Sequence, residues 1–271
     1  MAVTPGLIHR QVAGDGDPAV IFVHGFGCAL ADWADQVAHL SPRFKCIAMD
    51  LPGHGASPVP DAHTMQALAD AVNRVKQEAG TEHVVLVGHS LGTRVITDAY
   101  LQSPANVLGL VFVDGRYYDG DPAEVLTRMT ALVDGTGFSG FIERAFPGMF
   151  TERSSPQLRE QITRRAMALD PGYGRAIFLE SILWDCTYGR EKIGQIRVPV
   201  LLLQSTDIDV NRRQISMQPG MRTRYMDVVS ELVADADVKV VAGVGHFAAL
   251  EAPEEVSREI ERFVKRVSKS E

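Results

Sequence analysis

Residues 83–92 read HVVLVGHSLG, and the chain continues at 93–102 as TRVITDAYLQ. The opening run is apolar and β-branched, as a buried strand requires, and the stretch after Gly92 is compatible with a helix. Between them stands Gly88-His89-Ser90-Leu91-Gly92. A serine on a tight strand-to-helix turn presents its hydroxyl to solvent, but the turn leaves no room for side chains two residues to either side. Glycine at both flanks supplies that room, which makes Ser90 the candidate nucleophile. In a chain with 24 glycines the pentapeptide alone says little; its position between strand and helix carries the weight.

Working outward, residues 19–27 read AVIFVHGFG, a second apolar strand running into a glycine loop. Residues 237–250 read DVKVVAGVGHFAAL, a late strand running into a glycine-rich turn that presents His246. The order along the chain is glycine loop, serine, histidine. Four passages, VHGFG at 23–27, DLPGHGAS at 50–57, GHSLG at 88–92 and GVGHFAALEAPEEV at 243–256, identify what the chain resembles: the α/β hydrolase family, over roughly residues 20–267. The resemblance implies the α/β hydrolase fold, a mostly parallel sheet flanked by helices, with a helical cap inserted in it.

The residues point the same way. Apolar strands are expected at 19–24, 45–50, 83–88, 107–114, 198–204 and 237–242, alternating with helical stretches, which is the pattern of a parallel sheet covered on both faces. Thr64 is placed to cap a helix that ends near Gly80. Pro253, Glu254 and Glu255 open a last helix whose far end carries Lys265 and Arg266, a charge order that suits the helix dipole. The long segment after Asp114 has no convincing strand but shows helical spacing at Leu158, Ile162, Ala166 and Leu169. It reads as four short helices separated by glycine and proline breakers. The expected division is a core of residues 1–115 and 198–271 with a cap of 116–197.

Composition narrows the function. The formal net charge of -7, with no dense basic cluster, argues against nucleic acid as a partner. The three cysteines, Cys28, Cys46 and Cys186, form no C-x-x-C pair and suggest neither a disulfide framework nor a zinc site. The opening MAVTPGLIHRQ lacks a signal-peptide pattern and no apolar run is long enough to span a bilayer, so a cytoplasmic protein with no membrane partner is expected.

A serine hydroxyl needs a base within hydrogen-bond reach and a third group to orient that base. His246, just past a strand and framed by Gly243 and Gly245 in a loop that can bend it back toward Ser90, is the expected base. The acid is less direct. In most family members it follows the strand before the last, in a turn of the form G-x-x-D. Here residues 199–209 read PVLLLQSTDID, with Ser205 in place of the glycine and Ile208 where the aspartate usually falls. The alternative is Asp114, at the end of LVFVDG, a position that the haloalkane dehalogenases of this fold use. Asp114 is preferred because the later turn departs from its pattern; Asp207 and Asp209, on either side of Ile208, are the alternatives. The oxyanion donors are expected to be the backbone N–H groups of Leu91, after the nucleophile, and, by resemblance, Phe26 in the glycine loop.

Other residues read as structural. His54 in DLPGHGAS accompanies backbone turns, Trp33 belongs to the core, and Cys28 is a small buried filler. Some of Tyr117, Tyr118, Phe138, Phe141, Phe146, Phe178 and Trp184 should face the substrate, though spacing does not select which. The leading functional reading is a serine hydrolase of a small or medium carboxylic ester or lactone, with an acyl-enzyme intermediate and no metal or organic cofactor. The alternatives are a carbon–carbon bond hydrolase, a cofactor-free haloperoxidase, and a slow-turnover ligand-binding receptor of the same fold. The oligomeric state is not encoded in these motifs.

Overall fold

The computed structural model describes residues 7–151, 154–209 and 214–269. The first six residues of the opening segment and residues 152–153 of the expected cap, both covered by the reading above, lie outside the described residues.

The strands are β1 (Arg10–Ala13), β2 (Ala19–Val23), β3 (Lys45–Met49), β4 (Val84–His89), β5 (Val107–Val113), β6 (Val200–Gln204), β7 (Thr206–Ile208), β8 (Gln214–Ser216) and β9 (Ala236–Val240). Seven of them form one sheet in the order β1-β3-β2-β4-β5-β6-β9. All neighbours are parallel except β1, which runs antiparallel to β3 with Arg10 opposite Met49. The six parallel strands are those read from the sequence, within two or three residues at each end. Three strands carry no such signal. β1 is a four-residue edge strand with half-exposed side chains, and β7 and β8 form a short separate antiparallel hairpin. Neither has the continuous apolar run by which a doubly covered strand is recognised.

The helices are α1 (Ala34–Leu40), α2 (Met65–Gln77), α3 (Leu91–Gln102), α4 (Pro122–Asp134), α5 (Gly137–Ala145), α6 (Pro156–Met167), α7 (Pro171–Trp184), α8 (Arg190–Gly194), α9 (Arg224–Leu232), α10 (Ala248–Glu251) and α11 (Pro253–Val267). The Thr64 hydroxyl accepts from the Ala67 N–H at 3.2 Å and caps α2, satisfying one of the donors that a helix start leaves unpaired. On α11, Val256, Ile260, Phe263, Val264 and Val267 are buried along one face, and the charged residues occupy the other.

Alternation along each strand splits the core into two layers. Ile21, Val23, Leu86, Leu110 and Phe112 pack with α2, α3 and α9 on one face. Val20, Phe22, Val85, Val87, Val111 and Val113 pack with Trp33, α1 and α11 on the other. Because both faces are covered, β2 and β4 are buried at every position. Each large apolar side chain removed from water in this way contributes about 1.5–3 kcal/mol.

Helices α4 to α8 lie between β5 and β6 in the chain. The four longer ones, α4 to α7, occupy the segment read as four short helices. α7 then continues through a π-turn at Asp185–Gly189 into α8, a fifth helix that the breaker pattern did not separate. Phe138, Phe141, Ile142, Phe146 and Ile162 form a third apolar cluster, completed from the sheet side by Cys28 and Phe247. Among the described residues no helix is long and apolar enough to cross a membrane.

Candidate active site

Ser90 sits between β4 and α3 with φ +52° and ψ −113°, a backbone conformation that costs an L-residue about 1–3 kcal/mol and persists only where its surroundings enforce it. The flanking glycines are part of that enforcement. A Cβ on Gly88 would lie 2.4 Å from the Gly92 carbonyl oxygen, and one on Gly92 would lie 2.4 Å from the Val23 carbonyl oxygen. Both clashes are with backbone, which cannot move aside as a side-chain tip can. Gly92→Ala is therefore expected to destabilise the protein by about 2–3 kcal/mol or more, because the elbow must separate from β2. Urea unfolding measures this, and a midpoint equal to the parent's would refute the packing argument.

The Ser90 hydroxyl lies 2.9 Å from Nε2 of His246. On the other side of the ring, Nδ1 lies 2.6 Å from Oδ2 of Asp114. Asp114 ends β5 in the left-handed region at φ +44°, and its N–H still donates to the Leu203 carbonyl at 2.8 Å. Its Oδ1 accepts from the N–H groups of Ser205 and Thr206 at 2.7 and 2.8 Å, and its Oδ2 also accepts the Thr206 hydroxyl at 2.6 Å. Burial pushes the carboxyl pKa up, but the His246 hydrogen bond and charge and the Thr206 and Ser205 donors outweigh it and hold the group below the ordinary carboxylate range. It is an ionised carboxylate in a nearly dry position.

Of the alternative acids, Asp207 accepts from the Ile208 N–H within β7. Asp209 lies just beyond that strand, and the Nδ1 side of His246 is occupied by Asp114. What the sequence did not reveal is the role of the altered turn. In this turn the Ser205 and Thr206 N–H groups and the Thr206 hydroxyl all donate to Asp114. The departure of PVLLLQSTDID from G-x-x-D was the available signal, because a loop without the acid is free to complement one elsewhere.

The loop carrying His246 is held by several hydrogen bonds. The His246 N–H donates to the Met149 carbonyl at 3.1 Å, the Gly245 N–H to Glu251 at 3.1 Å, and the Ser205 hydroxyl to the Gly245 carbonyl at 2.8 Å. His89, the variable residue of the elbow, donates from Nε2 to the His246 carbonyl at 2.8 Å. Burial and the neighbouring His246 lower its pKa to about 3, so it acts as a neutral strut.

Ser90 and His246 open into a cavity also lined by Phe26, Leu91, Phe146, Phe178 and Ile182, together with Arg94, Arg116 and Tyr118. Of the aromatics read from the sequence, Tyr118, Phe146 and Phe178 face this space. Phe138 and Phe141 pack between helices, and Trp184 donates its indole N–H to Asp98 at 2.9 Å. His54 is buried away from Ser90, donating to the Pro52 carbonyl at 3.0 Å, and Trp33 is core. Cys28 is buried, and burial pushes its thiol well above the usual range. Among the described residues no three His, Cys, Asp or Glu side chains converge as a metal site would require.

A sequence profile of the alpha/beta hydrolase family matches residues 20–259, and the chain belongs to that family. Among curated proteins it is similar to the dihydrolipoyllysine-residue acetyltransferase component of the acetoin cleaving system of Cupriavidus necator, 37% identical over 101 residues that make up 37% of this chain and 27% of that protein. It is also similar to the pimeloyl-[acyl-carrier protein] methyl ester esterase of Vibrio campbellii, 33% identical over 60% of this chain and 63% of that one. The chain thus spans less than two thirds of the length of these relatives. Among solved structures, a thermophilic esterase from Thermogutta terrifontis superposes with a TM-score of 0.79 at 24% identity, over 98% of this chain and 96% of that one.

Proposed function

We propose that this α/β hydrolase is a serine hydrolase that cleaves a small or medium carboxylic ester or lactone, with residues 116–197 forming a cap over the site. Ser90 attacks the carbonyl carbon while His246 Nε2 takes its proton. Asp114 holds the imidazole with its Nδ1 proton facing the carboxylate, so that Nε2 is the basic nitrogen, and stabilises the imidazolium that forms. The backbone N–H groups of Leu91, at the start of α3, and of Phe26 receive the oxyanion, at about 3–4 kcal/mol for each well-placed donor. His246 then protonates the leaving alkoxide, and the same imidazole activates water to release the acyl group from Ser90. Leu91 is favoured as a donor because the helix dipole also points positive there.

The observation that carries this reading is the continuous hydrogen-bonded line from Ser90 through His246 to Asp114, opening onto an apolar-walled cavity. The esterase named among the relatives supports the ester class. The test is covalent labelling with a fluorophosphonate. Stoichiometric incorporation that vanishes in Ser90→Ala, accompanied by rapid turnover of short-chain nitrophenyl esters, is the expected result. Absence of labelling would overturn it. Labelling followed by a single slow cycle would instead favour a ligand-binding receptor.

A further inference from the structure

The cavity above Ser90 carries an imbalance of charge. Among the described residues no carboxylate lines it, but two guanidinium groups do. Arg94, buried at 5% exposure, is satisfied: Nε and Nη2 pair with Asp185 at 2.7 and 2.5 Å, Nη1 donates to the Ser90 carbonyl at 3.1 Å, and Nη2 donates to the Arg116 carbonyl at 3.2 Å. Burial acts against its charge, but the Asp185 carboxylate outweighs this and keeps it cationic. Its work is internal, tying the elbow to the segment after β5.

Arg116 is different. It is half-buried, and the hydrogen bond its side chain makes is a long one, from Nη1 to the Tyr118 hydroxyl at 3.4 Å. Among the described residues no carboxylate pairs with it: Asp185, whose charge it influences, spends both oxygens on Arg94, and Asp114 spends both of its own on His246, Ser205 and Thr206. The Arg116 guanidinium therefore sits on the wall of the cavity with no ion-pair partner among the described residues, in a protein whose net charge is -7. A half-buried guanidinium with open donors beside a nucleophile is poised for an anionic ligand group.

We propose that Arg116 binds a carboxylate at the end of the substrate's acyl chain, so that the enzyme prefers monoesters or lactones of dicarboxylic acids over neutral esters of equal length. This rests on the cavity being the acyl site. A carboxylate is favoured over a phosphate because one planar guanidinium matches its two oxygens, whereas Arg94 is already paired with Asp185 and the apolar wall of Phe26, Phe146, Phe178 and Ile182 offers no further charge for a dianion.

Monomethyl glutarate and methyl valerate form a matched pair, equal in chain length and differing in a terminal carboxylate for a methyl group. Their binding to the Ser90→Ala protein, read by calorimetry, involves no turnover and so separates this proposal from the hydrolase reading, which loss of fluorophosphonate labelling tests on its own. The expected result is about tenfold or greater preference for monomethyl glutarate, falling to near unity when Arg116→Gln is added and partly retained with Arg116→Lys. Equal binding of the two esters to Ser90→Ala, or a preference that survives Arg116→Gln, would overturn the proposal.

Discussion

Asp114→Asn is expected to lower kcat by about four orders of magnitude while leaving the protein folded. The reason lies in how its contacts with His246 and with the Ser205 and Thr206 N–H groups would be reassigned. The amide oxygen can take the place of Oδ1 and still accept from the Ser205 and Thr206 N–H groups. The amide nitrogen then replaces Oδ2, and it is a donor facing the His246 Nδ1 that previously donated. The imidazole must present a bare Nδ1 to it, which moves the ring proton to Nε2, opposite the Ser90 hydroxyl. A base already carrying that proton cannot accept another from serine. Asp207→Asn and Asp209→Asn should leave turnover near the parent level, and steady-state kinetics on one nitrophenyl ester compares all three. Near-normal activity in Asp114→Asn would move the orienting role to another residue.

Unfolding in urea should become much easier as the pH falls from about 7.5 to about 5, because three buried imidazoles are held neutral in the folded chain. Burial and the adjacent His54 lower His24 to about 3, burial lowers His54 to about 4, and burial with the adjacent His246 lowers His89 to about 3, each from an ordinary value of 6.5. The His24 tautomer is fixed by two contacts: Nδ1 donates to the Gly25 carbonyl at 2.8 Å and Nε2 accepts from the Leu51 N–H at 3.0 Å. A second proton would destroy the latter. Because the folded pKa is depressed, the unfolded chain binds more protons below pH 6.5. The stabilisation is complete above that value and is lost progressively toward the folded pKa values. Each imidazole contributes a slope of at most about 1.4 kcal/mol per pH unit. Asp114 acts in the same sense, but only below the ordinary carboxylate range. Equal urea midpoints at the two pH values would mean that these rings reach solvent in the native state.

The sequence alone made the parallel sheet, the strained Gly-x-Ser-x-Gly turn and the histidine loop legible, because each rests on a local requirement. A strand covered on both faces must be apolar throughout, as in AVIFV and VVLV, and a serine on a strained elbow needs glycine where a Cβ would meet backbone. The edge strand β1 and the β7–β8 hairpin left no comparable mark, since their side chains are partly exposed and their partners distant or weakly patterned. The same limit applied to the acid. Three aspartates had comparable local contexts, and only the fold put Asp114 within 2.6 Å of His246, 132 residues away in the chain, with Thr206 and Ser205 donating from the neighbouring loop. The unbalanced charge of Arg116 became visible for the same reason: whether a guanidinium is neutralised depends on which carboxylates the packing brings near it. Local sterics are written in short stretches of sequence, whereas hydrogen-bond partnership and charge balance are properties of groups that meet only when the chain has folded.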